Sequence, residues 1–297
     1  MSWVDDILND LATDAHWSYR VGGPIAAEPT ALAALALYGH GRVSDAWRAC
    51  EQLAALAGED GTVGVMADQA TPSWPTSLAL LAWNAATGNA DSALPATWRS
   101  HAERAAEWLL TVSGDAQPRN ADLGHDTSLR GWPWVLGTHS WVEPTALAVL
   151  ALKSAGFNTH IRVREAVHLL IDRLLPEGGS NYGNTTVLGQ ALRPHAAPSG
   201  LALAALAGER DASGRIERTI AYLEQTLNRQ TTSMSLAYGL IGLAAHDRTP
   251  QAADAWLEAA SRRGGREAAP FKRALVALAA LMADCPLISI PNKKRVS

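Results

Sequence analysis

Cysteine is almost missing from this chain. Cys50 and Cys285 are the only two in 297 residues, too few for a disulfide framework. Excess positive charge is missing as well: the net charge is −4 and the calculated pI about 6.1, so no basic field exists to attract phosphate backbones and nucleic-acid binding is not expected. Long apolar runs are missing too. ALVALAALMA, starting at Ala274, is about half the roughly 20 residues that a bilayer demands, so no transmembrane segment is expected. The amino end, MSWVDDILND, is acidic where a secretory signal is basic and then apolar, and a cytoplasmic location is expected. There is no G-x-S-x-G elbow, no G-x-x-x-x-G-K loop and no C-x-x-C pair. Gly22-Gly23 and Gly178-Gly179 read as turn residues.

What is present is a repeat. Aligned on proline, the chain reads EPTALAALAL at Glu28, WPTSLALLAW at Trp74, EPTALAVLAL at Glu143 and APSGLALAAL at Ala197, spaced 46, 69 and 54 residues apart. Two weaker copies follow, SMSLAYGLIGL from Ser233 and PFKRALVALAAL from Pro270. Each is a helix by composition, because Ala and Leu are strong helix formers and Pro suits a first turn. Each also lacks a polar face, and a helix apolar all round must be surrounded by protein.

Between them lie segments of another kind. SWVDDILNDLA, VSDAWRACEQLAAL, ATWRSHAERAAEWLLTV, THIRVREAVHLLIDRLL, SGRIERTIAYLEQTL and TPQAADAWLEAASRR alternate apolar and charged residues at three- and four-residue steps, as helices with one wet face do. Inner apolar helices ringed by outer amphipathic ones predict an all-α fold, a single α/α toroid of about six inner and six outer helices, since no pair alone buries its apolar surface. One domain is expected over residues 1–297, with a frayed basic tail, PNKKRVS, at 291–297.

HWSYRVGGPIAAEPTALAALAL and GWPWVLGTHSWVEPTALAVLAL, with the weaker GGSNYGNTTV, resemble the repeat of the terpenoid cyclases and protein prenyltransferases, the α/α-toroid superfamily that includes squalene-hopene cyclase. The resemblance spans about Trp17 to Leu281 and implies one toroid, where squalene-type cyclases carry two domains. It implies a hydrophobic substrate of isoprenoid type. The D-x-D-D acid of class II cyclases is absent, and so is the Asp-x-Cys zinc motif of the prenyltransferases, since Asp284 and Cys285 are adjacent. DDILND, superficially like the D-D-x-x-D of class I terpene synthases, sits on an outer helix and reads as solvated charge.

In such a ring every inner helix starts at the same end, so the preceding segments converge on one mouth. Trp3, Trp47, Trp83, Trp98, Trp108 and Trp256 fall on helices and read as packing residues. Trp17, Trp74, Trp132, Trp134 and Trp141 fall in the mouth with Tyr19 and Tyr182, either as lids plugging the barrel or as walls of a binding cavity. Glu28 and Glu143 precede Pro29 and Pro144, at a cap position where Ser, Thr, Asp or Asn is preferred. Either they face the mouth as an acid pair, or they simply favour the helix dipole, with Thr30 and Thr145 capping helices that start one residue later.

His139 lies four residues from Glu143, close enough on a turn to tune it as a general acid; Glu28 is the second candidate. His16, His125 and His195 also fall in mouth segments, and Arg20 and Arg130 flank the mouth, able to hold an anion or to balance the two glutamates. The expected site is thus Glu143, His139 and Glu28 for chemistry, with Trp17, Tyr19, Arg20, Trp74, Trp132, Trp134, Trp141, Tyr182 and His195 around a hydrophobic small molecule. No cofactor is expected, zinc and magnesium included, because the histidines are scattered singly. Two alternatives keep the same fold: a carbohydrate-active barrel using its carboxylate pair, and a toroid that binds without catalysis. The oligomeric state is not legible.

Overall fold

The Ala- and Leu-rich repeats form the inner wall of a closed ring. In the computed structural model, which describes residues 2–87, 96–120, 123–264 and 268–288, the helices in chain order are α1 (Trp3–Thr13), α2 (Ala27–Gly39), α3 (Val43–Leu56), α4 (Pro75–Thr87), α5 (Ala96–Thr111), α6 (Val142–Ser154), α7 (Ile161–Arg173), α8 (Ala196–Ala205), α9 (Arg215–Thr226), α10 (Ser233–Ala244), α11 (Ala253–Gly264) and α12 (Pro270–Ala280). The even-numbered helices pack each on the next, and α12 returns onto α2 to close the circle. The odd-numbered helices form the outer layer. A two-stranded hairpin, β1 (Thr186–Val187) with β2 (Gln190–Ala191), decorates the segment before α8. The tail at 291–297 lies outside the described residues.

Burial separates the two layers as the sequence patterns require. From Thr30 to Leu37 of α2 no residue is more than 2% exposed, so the helix is covered on every side, at about 1.5–3 kcal/mol for each large apolar side chain removed from water. Helix α9 instead buries one stripe, Ile216, Thr219, Ile220 and Leu223. Because α2 and α6 are sealed all round, the ring's axis is filled by side chains below the mouth. Among the described residues, α2 and α6 open on no central space at that depth.

The ring is drawn tightest between α8 and α10. A Cβ on Gly200 would lie 2.1 Å from the Tyr238 carbonyl oxygen, so only glycine fits there.

The repeated Pro-Thr has a structural purpose. The Thr145 hydroxyl accepts from the Trp132 amide at 2.9 Å and donates to the Trp132 carbonyl at 3.3 Å. Thr76 does the same to Val63, and Ser199 to Ser180. Three of the inner helices, α4, α6 and α8, thereby pin the mouth segments that lead into them. Gly131 is required beside this clamp, since a Cβ there would meet the Thr145 hydroxyl at 2.3 Å.

A second repeated device joins the outer helices. Arg48 of α3 donates to the Ala12 and Asp14 carbonyls at the end of α1. Arg162 of α7 reaches Val112 just beyond α5, and Arg215 of α9 reaches Asp172 and Leu174 at the end of α7. A helix end leaves carbonyls without partners, and a guanidinium on the neighbouring helix satisfies them.

Candidate functional site

Glu28 and Glu143 stand at equivalent places in the mouth, in the second position of α2 and of α6. The helices start two residues earlier than the prolines suggest. Ala26 and Trp141 are the caps, neither giving a side-chain hydrogen bond, so the glutamates are not caps and neither threonine is one. Thr30 bonds back to the Ala26 carbonyl at 2.7 Å, and Thr145 is taken up by Trp132. Both residues lie in the first turn of a helix, where negative charge is favoured.

Burial works against that charge. Each glutamate keeps a partial opening to water while hemmed in by protein, as expected for a group at the floor of a concavity. Burial pushes the Glu143 carboxyl up to about 7, and the charge on Glu28 adds to the rise. Burial raises Glu28 as well, but two donors pull it part of the way back. The Tyr19 hydroxyl donates to Glu28 Oε2 at 2.6 Å. The Trp74 indole N–H is turned toward the same carboxylate without closing a full hydrogen bond, and is a buried donor left without a partner. Of the two, Glu28 is the one given donors that favour its charge, and that charge adds to burial in raising Glu143.

Tyr238, on α10, belongs to the same cluster. It is 4% exposed, and burial followed by the charges of Glu28 and Glu143 holds its phenol protonated. It sits in SMSLAYGLIGL, where a tyrosine on an otherwise apolar inner helix was the one signal of it. The structure therefore brings Glu28, Glu143, Tyr19, Trp74 and Tyr238 together.

The mouth tryptophans divide into two groups. Trp17 is fully buried and Trp132 is 3% exposed. Their indole N–H groups donate to Leu11 and Leu109 at the ends of outer helices, and Arg48 and Arg162 each lie 4.7 Å above the ring. These two are buried packing residues, equivalent between the repeats. Trp74 and Trp134 meet edge to face at 4.9 Å. With Trp108 and Trp132 they close around a void of only about 10 Å³, room for no more than about one water. They act as a lid on that side, while Trp141 stays half-buried at the rim.

The histidines do not converge on the acids. His139 is exposed and packs tilted against Trp141 at 4.5 Å, and the Glu143 proton is governed by burial and Glu28 instead. His195 is exposed and packs tilted against Tyr182 at 5.1 Å. His16 bonds the Gly23 carbonyl, and His125 is buried against Thr185. Arg20 and Arg130 are exposed, and neither offsets the glutamates. Among the described residues no group of three or more His, Cys, Asp and Glu side chains is placed to share a metal ion, and no helix is long and apolar enough to cross a membrane. Cys285, at the far end from the mouth, is buried with its thiol pushed up to about 12.

No protein-family model matches the chain, and no curated protein does. Solved structures do. A double mutant of Rex8A from Paenibacillus barcinonensis superposes with a TM-score of 0.61 at 12% identity, over 97% of this chain and 93% of that one. The fold is an α/α toroid. The same toroid superposes on part of a mutant of Salmonella alpha-2-macroglobulin, with a TM-score of 0.54 at 15% identity, covering 95% of this chain but 17% of that one. It also superposes on native alpha-2-macroglobulin from Escherichia coli, from its MG7 domain to the C-terminus, with a TM-score of 0.54 at 14% identity over 94% of this chain and 42% of that one. At such identities the likeness carries the architecture alone.

Proposed function

We propose that this toroid binds a hydrophobic small molecule of isoprenoid type at its aromatic mouth, with Glu143 as the proton donor and Glu28 as its ionised partner. The observation that carries the reading is the unequal acid pair. Two equivalent glutamates are both raised by burial, but only Glu28 is given donors that favour its charge, and a pair with unequal environments divides the roles of acid and base. Trp74, Trp134 and Tyr238 supply apolar and aromatic surface beside it. Positive charge developing on a substrate gains roughly 0.5–2 kcal/mol from each π face it meets.

In the proposed step the Glu143 O–H bond breaks and its proton passes to an electron-rich substrate atom, leaving a carboxylate. That new charge lies near Glu28, so reprotonation from solvent is favoured and the acid is reset.

A second reading rests on the same pair. An acid that keeps its proton to about pH 7 is better matched to an oxygen than to a carbon acceptor. This favours a glycosidic oxygen, with Glu28 as the second carboxylate.

Incubation with linear isoprenoid alcohols and polyenes in one panel and oligosaccharides in another, followed by mass spectrometry, separates the two. The leading reading predicts products from the isoprenoid panel, reduced about 10²–10⁴-fold by Glu143→Gln. Unchanged turnover in that variant removes Glu143 from the chemistry, and products from the sugar panel alone select the second reading.

A further inference from the structure

A cavity of about 840 Å³ opens beside Tyr19, the residue that donates to Glu28, and falls within the size range of small-molecule sites. It runs from the mouth down between α1, α11 and α12. We propose that this groove is a separate binding site for an anionic amphiphile, a carboxylate or phosphate head carrying an apolar tail.

Charge is the first argument. Arg20, Arg263, Lys272 and Arg273 all line the groove, and no carboxylate does among the described residues. Two of the four cations are already committed. Arg273 pairs with Asp10 at 3.4 Å and Asp14 at 2.9 Å, and Arg263 donates to the Arg229 and Thr231 carbonyls. Arg20 and Lys272 are exposed and have no ion pair among the described residues. Two cations held on the rim of one concavity, with no ion-pair partner among the described residues, form a receptor for a carboxylate or phosphate.

The helices supply a second argument. The first turns of α10 and α12 contribute Thr232, Ser233 and Met234, and Ala269, Phe271 and Lys272, to the lining. Neither helix has a side-chain cap. Two helix amino termini opening on one cavity add their partial positive charges to that of the side chains.

A third argument comes from a polar atom with no partner. Arg273 is 8% exposed, and its Nε–H is buried without a hydrogen bond. Such a group costs about 1–3 kcal/mol when left unmade, and it belongs to a residue in the groove's wall.

The tail is argued from the rest of the lining. Ile7, Val21, Met234 and Val276 are apolar, and the Phe271 ring packs on Tyr19 at 5.5 Å. Tyr19 gives its ring to the groove while its hydroxyl holds Glu28, so the two sites share one residue. The groove proposal does not depend on chemistry at Glu143, because its readout is binding alone.

Isothermal titration of the full chain with dodecyl phosphate, dodecanoate, inorganic phosphate and dodecanol, below micelle-forming concentrations, tests it. At least one of the two tailed anions is expected to bind about tenfold or more tightly than dodecanol and than inorganic phosphate, a difference of about 1.4 kcal/mol. The tighter head names the source, phosphate-bearing lipid or fatty acid. Arg20→Gln combined with Lys272→Gln, both at exposed positions and so compatible with folding, is expected to weaken the tailed anions about tenfold. Circular dichroism confirms that the double variant is folded. Equal affinity for dodecanol, an unaltered affinity in the folded double variant, or inorganic phosphate binding as tightly as dodecyl phosphate would overturn the proposal.

Discussion

The Tyr19 hydroxyl donates to Glu28 at 2.6 Å, and the charge it favours there adds to burial in raising a second acid, Glu143. Tyr19→Phe removes that donor. Glu28 then rises further from the usual carboxylate range and stays neutral to higher pH, and Glu143, relieved of its neighbour's charge, falls. Isotope-edited infrared spectroscopy of the protonated carboxyl stretch follows both. Unmoved carboxyls would break the link.

Glu143 also makes stability depend on pH. Its carboxyl is raised in the folded protein from an ordinary value of 4.5 to about 7, so the neutral form is the one the fold favours. That contribution is fully present below about pH 4.5 and is lost as pH rises through about 7, to a total of about 3 kcal/mol. Glu143→Gln carries no such loss. In urea unfolding the variant should match the parent near pH 4 and exceed it at pH 8 by about 3 kcal/mol; two parallel pH profiles would contradict this.

Arg162 ties α7 to the end of α5 through Val112, holds Gly131, and covers Trp132. Arg162→Met keeps most of the apolar stem and removes the donors, leaving buried carbonyls unsatisfied. A loss of about 3 kcal/mol is expected, with a shift in tryptophan emission as Trp132 is uncovered. A loss near zero would mean that the clamp is ornamental.

Gly200→Ala tests the tightest contact in the ring. Its Cβ would fall 2.1 Å from the Tyr238 carbonyl, forcing α8 and α10 apart at a cost of about 3 kcal/mol. Since Tyr238 lies beside both acids, the same substitution should also move the Glu143 titration. Destabilisation without any such movement would uncouple Tyr238 from the pair.

The architecture was legible because composition alone separates the layers. EPTALAALAL has no polar face and SGRIERTIAYLEQTL has one, and the inner helices are buried all round as that difference requires. The mouth was only partly legible. Trp17 and Trp132 look like cavity walls in a one-dimensional reading, yet each is buried by an arginine from a helix 30 or so residues further along, a contact no local pattern reports. The pairing of Glu28 with Tyr19 crosses nine residues of loop, and Tyr238 comes from across the ring. Register within the first turn mattered too. Two residues of difference in the helix start turned two supposed caps into second residues of their helices.

The most direct test is a side-chain carboxyl NMR titration of Glu143 in the parent chain and in Glu28→Gln. The parent Glu143 should titrate near 7, and the variant should titrate lower, still above the ordinary glutamate value because burial remains. A Glu143 that titrates at 4.5 in both proteins would contradict the acid pair on which the functional reading stands.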